Sequence, residues 1–166
     1  MTLQKSGLTL RPVEDGDLVQ LGKWLNREHV LRWYHDADEW MNEISKRNGE
    51  FAFLNHYIVE INGVPTGFGQ YYDCFDAKED WYAAKEPGRM FSIDYFIGEE
   101  DYLRRGYGKE TVKALIGLIQ RRQADAEIVV QPEPENIASG KALLVNGFSY
   151  DEKYKYYSLL LKSPAE

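Results

Sequence analysis

The stretch that decides the fold is MFSIDYFIGEEDYLRRGYGKETV, residues 90–112. Its first half is apolar and aromatic, which predicts a buried strand over 90–98. After a short acidic loop, apolar residues at helical spacing predict a helix over 106–122, facing inward with Val112, Leu115, Ile116 and Ile119. Glycines at such a junction let backbone N–H groups approach an anion closely, and the helix dipole adds to this. The segment therefore predicts a phosphate-bearing ligand.

The flanking sequence predicts an α/β fold around this segment. Strands are expected at 8–13, 57–61, 66–74, 128–131 and 156–161, and Asn62-Gly63 is a strong hairpin signal. Helices are expected after Asp15 as N-cap, then at 38–46 and at 135–146, the last closed by Gly147. The charged segment 76–88 is expected to be a loop. This order of elements predicts a mixed sheet flanked by helices.

Composition limits the function classes. The 166 residues carry 20 Lys and Arg against 27 Asp and Glu, a formal charge of -7. One domain spanning 1–166 is expected from this length. The acidic balance argues against a nucleic-acid partner and favours a cationic one. The sequence lacks an apolar run long enough to span a membrane, and its first residues are too polar for a signal peptide, so a cytoplasmic protein without membrane contact is expected.

Metal, disulfide and two nucleotide-binding motifs are not supported. The single Cys74 excludes an internal disulfide and suits a reducing compartment. The three histidines have no regular ligand spacing, so no metal site is expected. Walker loops need Gly-Lys followed by Ser or Thr, and the third glycine of a Rossmann motif would fall at Thr111.

Two motifs resemble those of the GCN5-related N-acetyltransferases. Residues 103–108, LRRGYG, are similar to the Gln/Arg-x-x-Gly-x-Gly/Ala loop of that family, with Leu103 at its leading position. Residues 136–148, NIASGKALLVNGF, are similar to its Asn-x-x-Ala-x-x-x-Tyr-x-Lys-x-Gly-Phe stretch. Within the superfamily, the segments 67–71, 92–94 and 131–136 most resemble aminoglycoside 6'-N-acetyltransferases. The resemblance spans nearly the whole chain and implies a single GNAT-type domain with a mixed, mostly antiparallel sheet.

The resemblance implies acetyl-CoA as co-substrate. The strand that ends near Gly98 would splay from its neighbour and grip the pantetheine and the thioester carbonyl with backbone N–H groups, here those of about Tyr95, Phe96 and Ile97. The loop would hold the pyrophosphate. The residues expected around it, and in the second motif, are Arg104, Arg105, Gly106, Tyr107, Gly108, Lys109, Asn136 and Lys141.

Asp94 is the expected catalytic base. Aspartate is depleted in strands, yet this one interrupts Phe91, Ile93, Tyr95 and Phe96. A buried carboxylate needs a partner, and one placed in a cleft is a good candidate for acid–base work. An amine arrives protonated, and a carboxylate can accept that proton directly or through one water. The resemblance implies the same role, in an attack without a covalent enzyme intermediate.

The group that protonates the leaving thiolate is left open. The tyrosine that serves as general acid in the family corresponds to Leu143. Either the thiolate leaves unprotonated, or another group such as Tyr150 or Tyr154 substitutes.

The acceptor site is expected to be aromatic and acidic. Aromatic walls with carboxylates suit a polycationic sugar. The expected acceptor-binding residues of this character are Trp33, Tyr34, Trp81, Asp94 and Glu133, and the resemblance implies Gln70, Tyr72 and Gln131 as well. Gln131 departs from the related enzymes, which carry an acidic residue there, although Glu133 or Glu135 could compensate.

Together these features predict acetyl transfer to a primary amine of a small cationic acceptor, an aminoglycoside at its 6'-amino group. The alternatives are an acyltransferase for a protein N-terminus, a lysine or a siderophore precursor, and a CoA-binding module without turnover. The sequence is compatible with a monomer or a homodimer.

Overall fold

The computed structural model describes residues 7–78, 82 and 84–163. Within these residues the strands form one seven-stranded sheet in the order β1-β2-β3-β4-β5-β7-β6. The β4–β5 pair is parallel and every other recorded neighbour pair is antiparallel. The strands are β1 Leu8–Pro12, β2 Leu54–Ile61, β3 Val64–Asp73, β4 Met90–Ile97, β5 Glu127–Val130, β6 Ser149–Asp151 and β7 Tyr156–Leu160. The predicted fold class is confirmed.

Helices cover both faces of the sheet. Their bounds are α1 Leu18–Leu25, α2 Glu28–Tyr34, α3 Ala37–Ser45, a single turn α4 at Cys74–Ala77, α5 Tyr107–Arg122 and α6 Ile137–Val145. On one face, apolar side chains of α1 to α3 pack on Ile58, Phe68 and Phe96. On the other face, α5 and α6 pack on Phe91 and Ile93. Because successive strand residues point to opposite faces, β4 serves both cores.

Strands β4 and β5 are paired over only a short length and then diverge. Their recorded pairs are Met90↔Glu127 and Phe91↔Ile128, whereas β4 stays paired with β3 as far as Ile97. The remaining length of β4 therefore borders an opening in the sheet, and this opening positions the candidate site.

Several local expectations differ from the structure. Helix α2 and strand β6 were not predicted, β2 begins three residues early, and Cys74 starts α4 instead of ending a strand. Asp15 does not cap α1, because its carboxylate contacts Arg47 Nη2 at 2.6 Å. Asp17 precedes α1, and its carboxylate accepts a hydrogen bond from the Glu14 N–H at 2.8 Å in the turn before the helix. Short elements such as α2 depend on packing more than on propensity, which is why their sequence signal is weak.

None of the helices in the described ranges is both long and apolar enough to cross a bilayer. The same ranges contain no group of three or more His, Cys, Asp or Glu side chains suited to hold a metal ion.

Candidate active site

Two cavities meet beside the opening between β4 and β5. The first, of about 560 Å³, runs from the loop before α5 along α6. The second, of about 510 Å³, lies between α2, α3, the strands and the segment between β5 and α6. Five residues line both cavities: Trp33, Tyr34, Tyr95, Asn136 and Ser139. A ligand in one cavity can therefore reach a ligand in the other.

The loop before α5 is shaped for an anion. The backbone φ is 60° at Arg104 and 85° at Gly106, both in the left-handed region. Loops of this kind turn successive N–H groups toward one concave side. A hydrogen bond from the Glu110 N–H to the Gly106 carbonyl begins α5, so the amides of 107–109 precede the helical ladder. Their partial positive charge, together with the helix dipole, makes the mouth of the first cavity attractive to phosphate.

Most of the residues predicted to bind the phosphate-bearing ligand line the first cavity. They are Tyr95, Phe96, Ile97, Arg104, Gly106, Tyr107, Gly108, Lys109, Asn136 and Lys141. Arg105 is the exception: it does not line this cavity, and its contact with the ligand stays a prediction. Its guanidinium lies over the rings of Tyr102 and Tyr107, 5.2 and 5.5 Å from their centroids, and donates to the Asp101 carbonyl. In the structure the Arg105 guanidinium therefore packs on aromatic side chains of the loop itself.

Sequence reasoning missed the apolar wall of this cavity. It is formed mainly by Val30, Leu103, Ala138, Ala142 and Val145. A largely apolar cleft with cationic and N–H groups at its mouth fits a long uncharged arm with an anionic end. The chemistry of coenzyme A matches this layout.

Tyr34 alters the expected role of one backbone donor. Its hydroxyl oxygen accepts a hydrogen bond from the Tyr95 N–H at 3.1 Å and donates to the Tyr95 carbonyl. Burial raises the pKa of Tyr34 well above its usual range, so the phenol stays neutral. The Tyr95 N–H, predicted to be free for a ligand, is thus already engaged. No sequence signal links position 34 to position 95, because α2 itself was not predicted.

Asp94 lies on β4 at the wall of the second cavity. It pairs with Gln70 across β3 and β4, and Gln70 Nε2 donates to Asp94 Oδ2 at 2.7 Å. Burial raises the pKa of Asp94, and the hydrogen bond from Gln70 partly offsets the rise. Burial also raises the pKa values of Tyr34, Tyr82 and Tyr95, the last to about 12. Asp94 is therefore a carboxyl group near neutral phenols, suited to accept a proton.

The second cavity gathers seven of the eight residues predicted to bind the acceptor. These are Trp33, Tyr34, Gln70, Tyr72, Asp94, Gln131 and Glu133. Trp81 lies outside the described residues. Glu39 and Glu43 on α3 also line the second cavity, although they were not predicted to do so. Their spacing of four residues places them on one face of the predicted helix, and this was the sequence signal that could have identified them. With Asp94 and Glu133, they give the cavity a negative potential that favours cations.

The rim of the second cavity is tied to neighbouring elements. Gln131 Nε2 donates to the Lys155 carbonyl at 3.0 Å. The carboxylate of Glu133 contacts His35 Nε2, which joins the end of α2 to the segment before α6. The rim thus has an acidic side chain at 133 but a neutral amide at 131.

The structure reduces the number of candidate proton donors for the leaving thiolate. Leu143 is fully buried in the core. Tyr150 packs edge-on against Tyr157, Tyr154 stacks on Tyr156, and neither lines the two cavities. By contrast, Tyr95 Oη and Ser139 Oγ form a 2.7 Å hydrogen bond where the cavities meet.

Comparison with known proteins fits this geometry. The family model described as "Acetyltransferase (GNAT) domain" matches residues 13–156. Aminoglycoside N(6')-acetyltransferase type 1 of Klebsiella pneumoniae is 25% identical over 154 residues, covering 89% of this chain and 77% of that protein.

Two solved structures share the fold. The aminoglycoside acetyltransferase AAC(6')-Ib in complex with coenzyme A and kanamycin superposes with a TM-score of 0.76 at 23% identity, over 92% of this chain and 94% of that one. The ribosomal L7/L12 alpha-N-protein acetyltransferase RimL gives a TM-score of 0.69 at 14% identity, over 95% and 92%.

The family match covers most of the chain, and it includes β4, the loop before α5 and the start of α6. The first cavity that these elements form has the mouth and the apolar wall that the co-substrate of this family requires. The chain therefore belongs to the GNAT family and is an N-acetyltransferase that uses acetyl-CoA as its acetyl donor.

Proposed function

We propose that this enzyme acetylates a primary amine of a small polycationic acceptor, specifically the 6'-amino group of an aminoglycoside, with Asp94 as base. The observation that carries the proposal is the position of Asp94: an acidic cavity holds it beside the junction with the acetyl-CoA cleft. The relative from Klebsiella pneumoniae acts on such compounds by name.

The proposed chemistry needs one proton transfer before bond formation. Asp94 takes a proton from the acceptor ammonium, directly or through one water. The amine nitrogen then attacks the acetyl carbonyl carbon and a C–N bond forms. The nitrogen releases its second proton to solvent, and the C–S bond breaks with its electron pair leaving on sulfur. Because the two cavities share a border, both substrates can be held at once. This supports direct transfer without an acyl-enzyme.

The hydroxyl pair of Tyr95 and Ser139 is proposed to give the departing thiolate its proton. Tyr95→Phe is expected to lower kcat about tenfold. This is less than the usual effect of removing a general acid, because a thiolate is a weaker base than most leaving groups and can depart without being protonated. Tyr150→Phe is the matched control, since Tyr150 lies outside both cavities. Steady-state kinetics with saturating acetyl-CoA measures the effect, and equal rates for the two variants would contradict the assignment.

The acceptor class is supported by the charge of the second cavity. Glu39→Gln and Glu43→Gln are each expected to raise the KM of a polycationic acceptor about fivefold, as a partly solvated ion pair allows, with little change in kcat. Glu50→Gln is the matched control, since Glu50 is an exposed acid after α3 that does not line the cavity. The difference should shrink at high salt. An unchanged KM in both variants would place the acceptor elsewhere.

Thiol release from acetyl-CoA across a panel of amines tests the proposed function. The panel contains kanamycin and other aminoglycosides with and without a 6'-amino group, peptides with free N-termini, and polyamines. Turnover confined to aminoglycosides that bear the amine is expected. Turnover with peptides alone would overturn the acceptor class, a result that the neutral Gln131 at the rim would then help to explain.

A further inference from the structure

A row of three polar side chains crosses the sheet and ends at the proposed base. His56 on β2 is paired with Gln70 on β3, and Gln70 is paired with Asp94 on β4. We infer that His56 is a positioning residue for the reaction: it holds the Gln70 amide so that its NH₂ group faces Asp94. The inference deepens the proposed function and rests on it only where Asp94 is called the base.

Burial makes the pairing of His56 with Gln70 necessary. His56 is 6% exposed and Gln70 is 3% exposed. Gln70 Oε1 and both ring nitrogens of His56 are buried and have no hydrogen-bond partner among the described residues. Directly opposed residues in an antiparallel pair have Cβ atoms about 5 Å apart, within reach of both side chains. Because a buried polar atom without a partner is costly, a small side-chain adjustment that joins a ring N–H to the amide oxygen is favoured. A hydrogen bond with Gln70 is among the influences on the pKa of His56, which supports this contact.

The protonation state of His56 fits this role. Burial lowers the pKa of His56 to about 4, and the charge of Arg47 acts in the same direction. At neutral pH the imidazole is therefore uncharged, with one N–H to donate. Its ring packs on Phe68 with the centroids 5.7 Å apart, which limits its rotation.

The orientation of the Gln70 amide decides what Asp94 meets. With Oε1 held by His56, Nε2 donates to Asp94 Oδ2 at 2.7 Å. A flipped amide would set its oxygen against the carboxylate and favour the protonated acid. The Gln70 hydrogen bond opposes the effect of burial on the pKa of Asp94, so His56, by holding Gln70, keeps the carboxylate ionised to lower pH.

The test measures the pKa of Asp94 itself. His56→Phe keeps an aromatic ring but removes the N–H. Two or three hydrogen bonds lower a carboxyl pKa by about two units, so losing one should raise the pKa of Asp94 by about one unit. The ¹³C chemical shift of the Asp94 carboxyl carbon, followed through a pH titration, reports this change. The acid limb of the kcat/KM profile should move upward by the same amount.

Other titrating groups must be separated from Asp94. The phenols of Tyr34, Tyr82 and Tyr95 face it, and Glu39, Glu43 and Glu133 line the same cavity. Arg47 is the charged group that acts on His56. Assigned carboxyl signals distinguish the four acids, and the phenols stay neutral through the titration. Ile58→Val is the matched control, because it alters a buried neighbour on the same strand without removing a donor.

The double variant tests whether His56 affects the pKa of Asp94 through Gln70. Gln70→Met alone should raise the pKa of Asp94 by a similar amount, and adding His56→Phe should produce no further shift. An unchanged pKa of Asp94 in His56→Phe would overturn the positioning role, even if activity falls. A shifted pKa with an unshifted kcat/KM profile would keep the positioning role and reject Asp94 as the base.

A measurement on the unaltered protein covers the case in which the variants do not fold. ¹⁵N NMR of His56 should show a neutral ring down to about pH 5, with one slowly exchanging N–H. A ring charged at pH 6, or a rapidly exchanging proton, would overturn the inference.

Discussion

Asp94→Asn is expected to lower kcat by a factor of about 10² to 10⁴, the usual contribution of a general base. The amide has nearly the same size as the carboxylate, but it cannot take a proton from the acceptor ammonium. Affinity for acetyl-CoA should stay within about twofold, because Asp94 lines the second cavity and not the cleft of the loop before α5. Steady-state kinetics and calorimetric titration with coenzyme A measure the two quantities.

The pH dependence gives a second readout of the same residue. Burial raises the pKa of Asp94, and only the ionised form can act as base. The value of kcat/KM in the unaltered enzyme should therefore fall as the pH drops through this raised pKa, and level off above it. Asp94→Asn should abolish this acid limb.

Asp125→Asn is the matched control for both readouts. Asp125 makes a surface ion pair with Arg89 at 2.8 Å and lines neither cavity, so turnover and pH profile should not change. A similar loss of turnover in both variants, or a large loss of coenzyme A affinity in Asp94→Asn, would remove Asp94 from the role of base.

Local signals predicted the part of the site that depends on neighbouring residues in the chain. The apolar and aromatic run of β4, the glycine loop and the apolar face of α5 each depend on a short window of sequence, and the structure contains all three. The cap of α6 is local as well: the Asn136 side chain accepts a hydrogen bond from the Ser139 N–H at 3.2 Å. Local windows of this kind specify backbone shape with little help from tertiary contacts.

Features that depend on register or packing could not be read from the sequence. The pairing of His56 with Gln70 needs the β2–β3 register, which the Asn-Gly turn suggests but a bulge between Val59 and Glu60 shifts. The contact of Tyr34 with Tyr95 needs α2, a seven-residue helix that is too short to be stable without packing. The position of the Arg105 guanidinium over the rings of Tyr102 and Tyr107 depends on packing in the same way.

Gly106→Val should act on the co-substrate and not on the chemical step. Gly106 adopts φ 85° and ψ 4° just before α5, a left-handed conformation that a β-branched residue strongly resists. A valine would shift the loop and misdirect the amides of 107–109. Losing one or two charge-assisted hydrogen bonds of about 1.5–3 kcal/mol each corresponds to a rise in the Kd of coenzyme A of about tenfold to a hundredfold or more.

Comparing acetyl-CoA with a shorter acetyl donor tests whether Gly106→Val acts on pyrophosphate binding. S-acetylpantetheine lacks the pyrophosphate, so its KM should hardly change in Gly106→Val, and the preference of the enzyme for acetyl-CoA should collapse. Gly117→Val is the matched control: it makes the same substitution within α5, where φ is ordinary and an added Cβ meets no atom within 4 Å. It should leave coenzyme A binding intact despite some cost in helix stability. Equal coenzyme A affinity in Gly106→Val and the unaltered protein would mean that the pyrophosphate binds elsewhere, since the amides before α5 depend on this conformation.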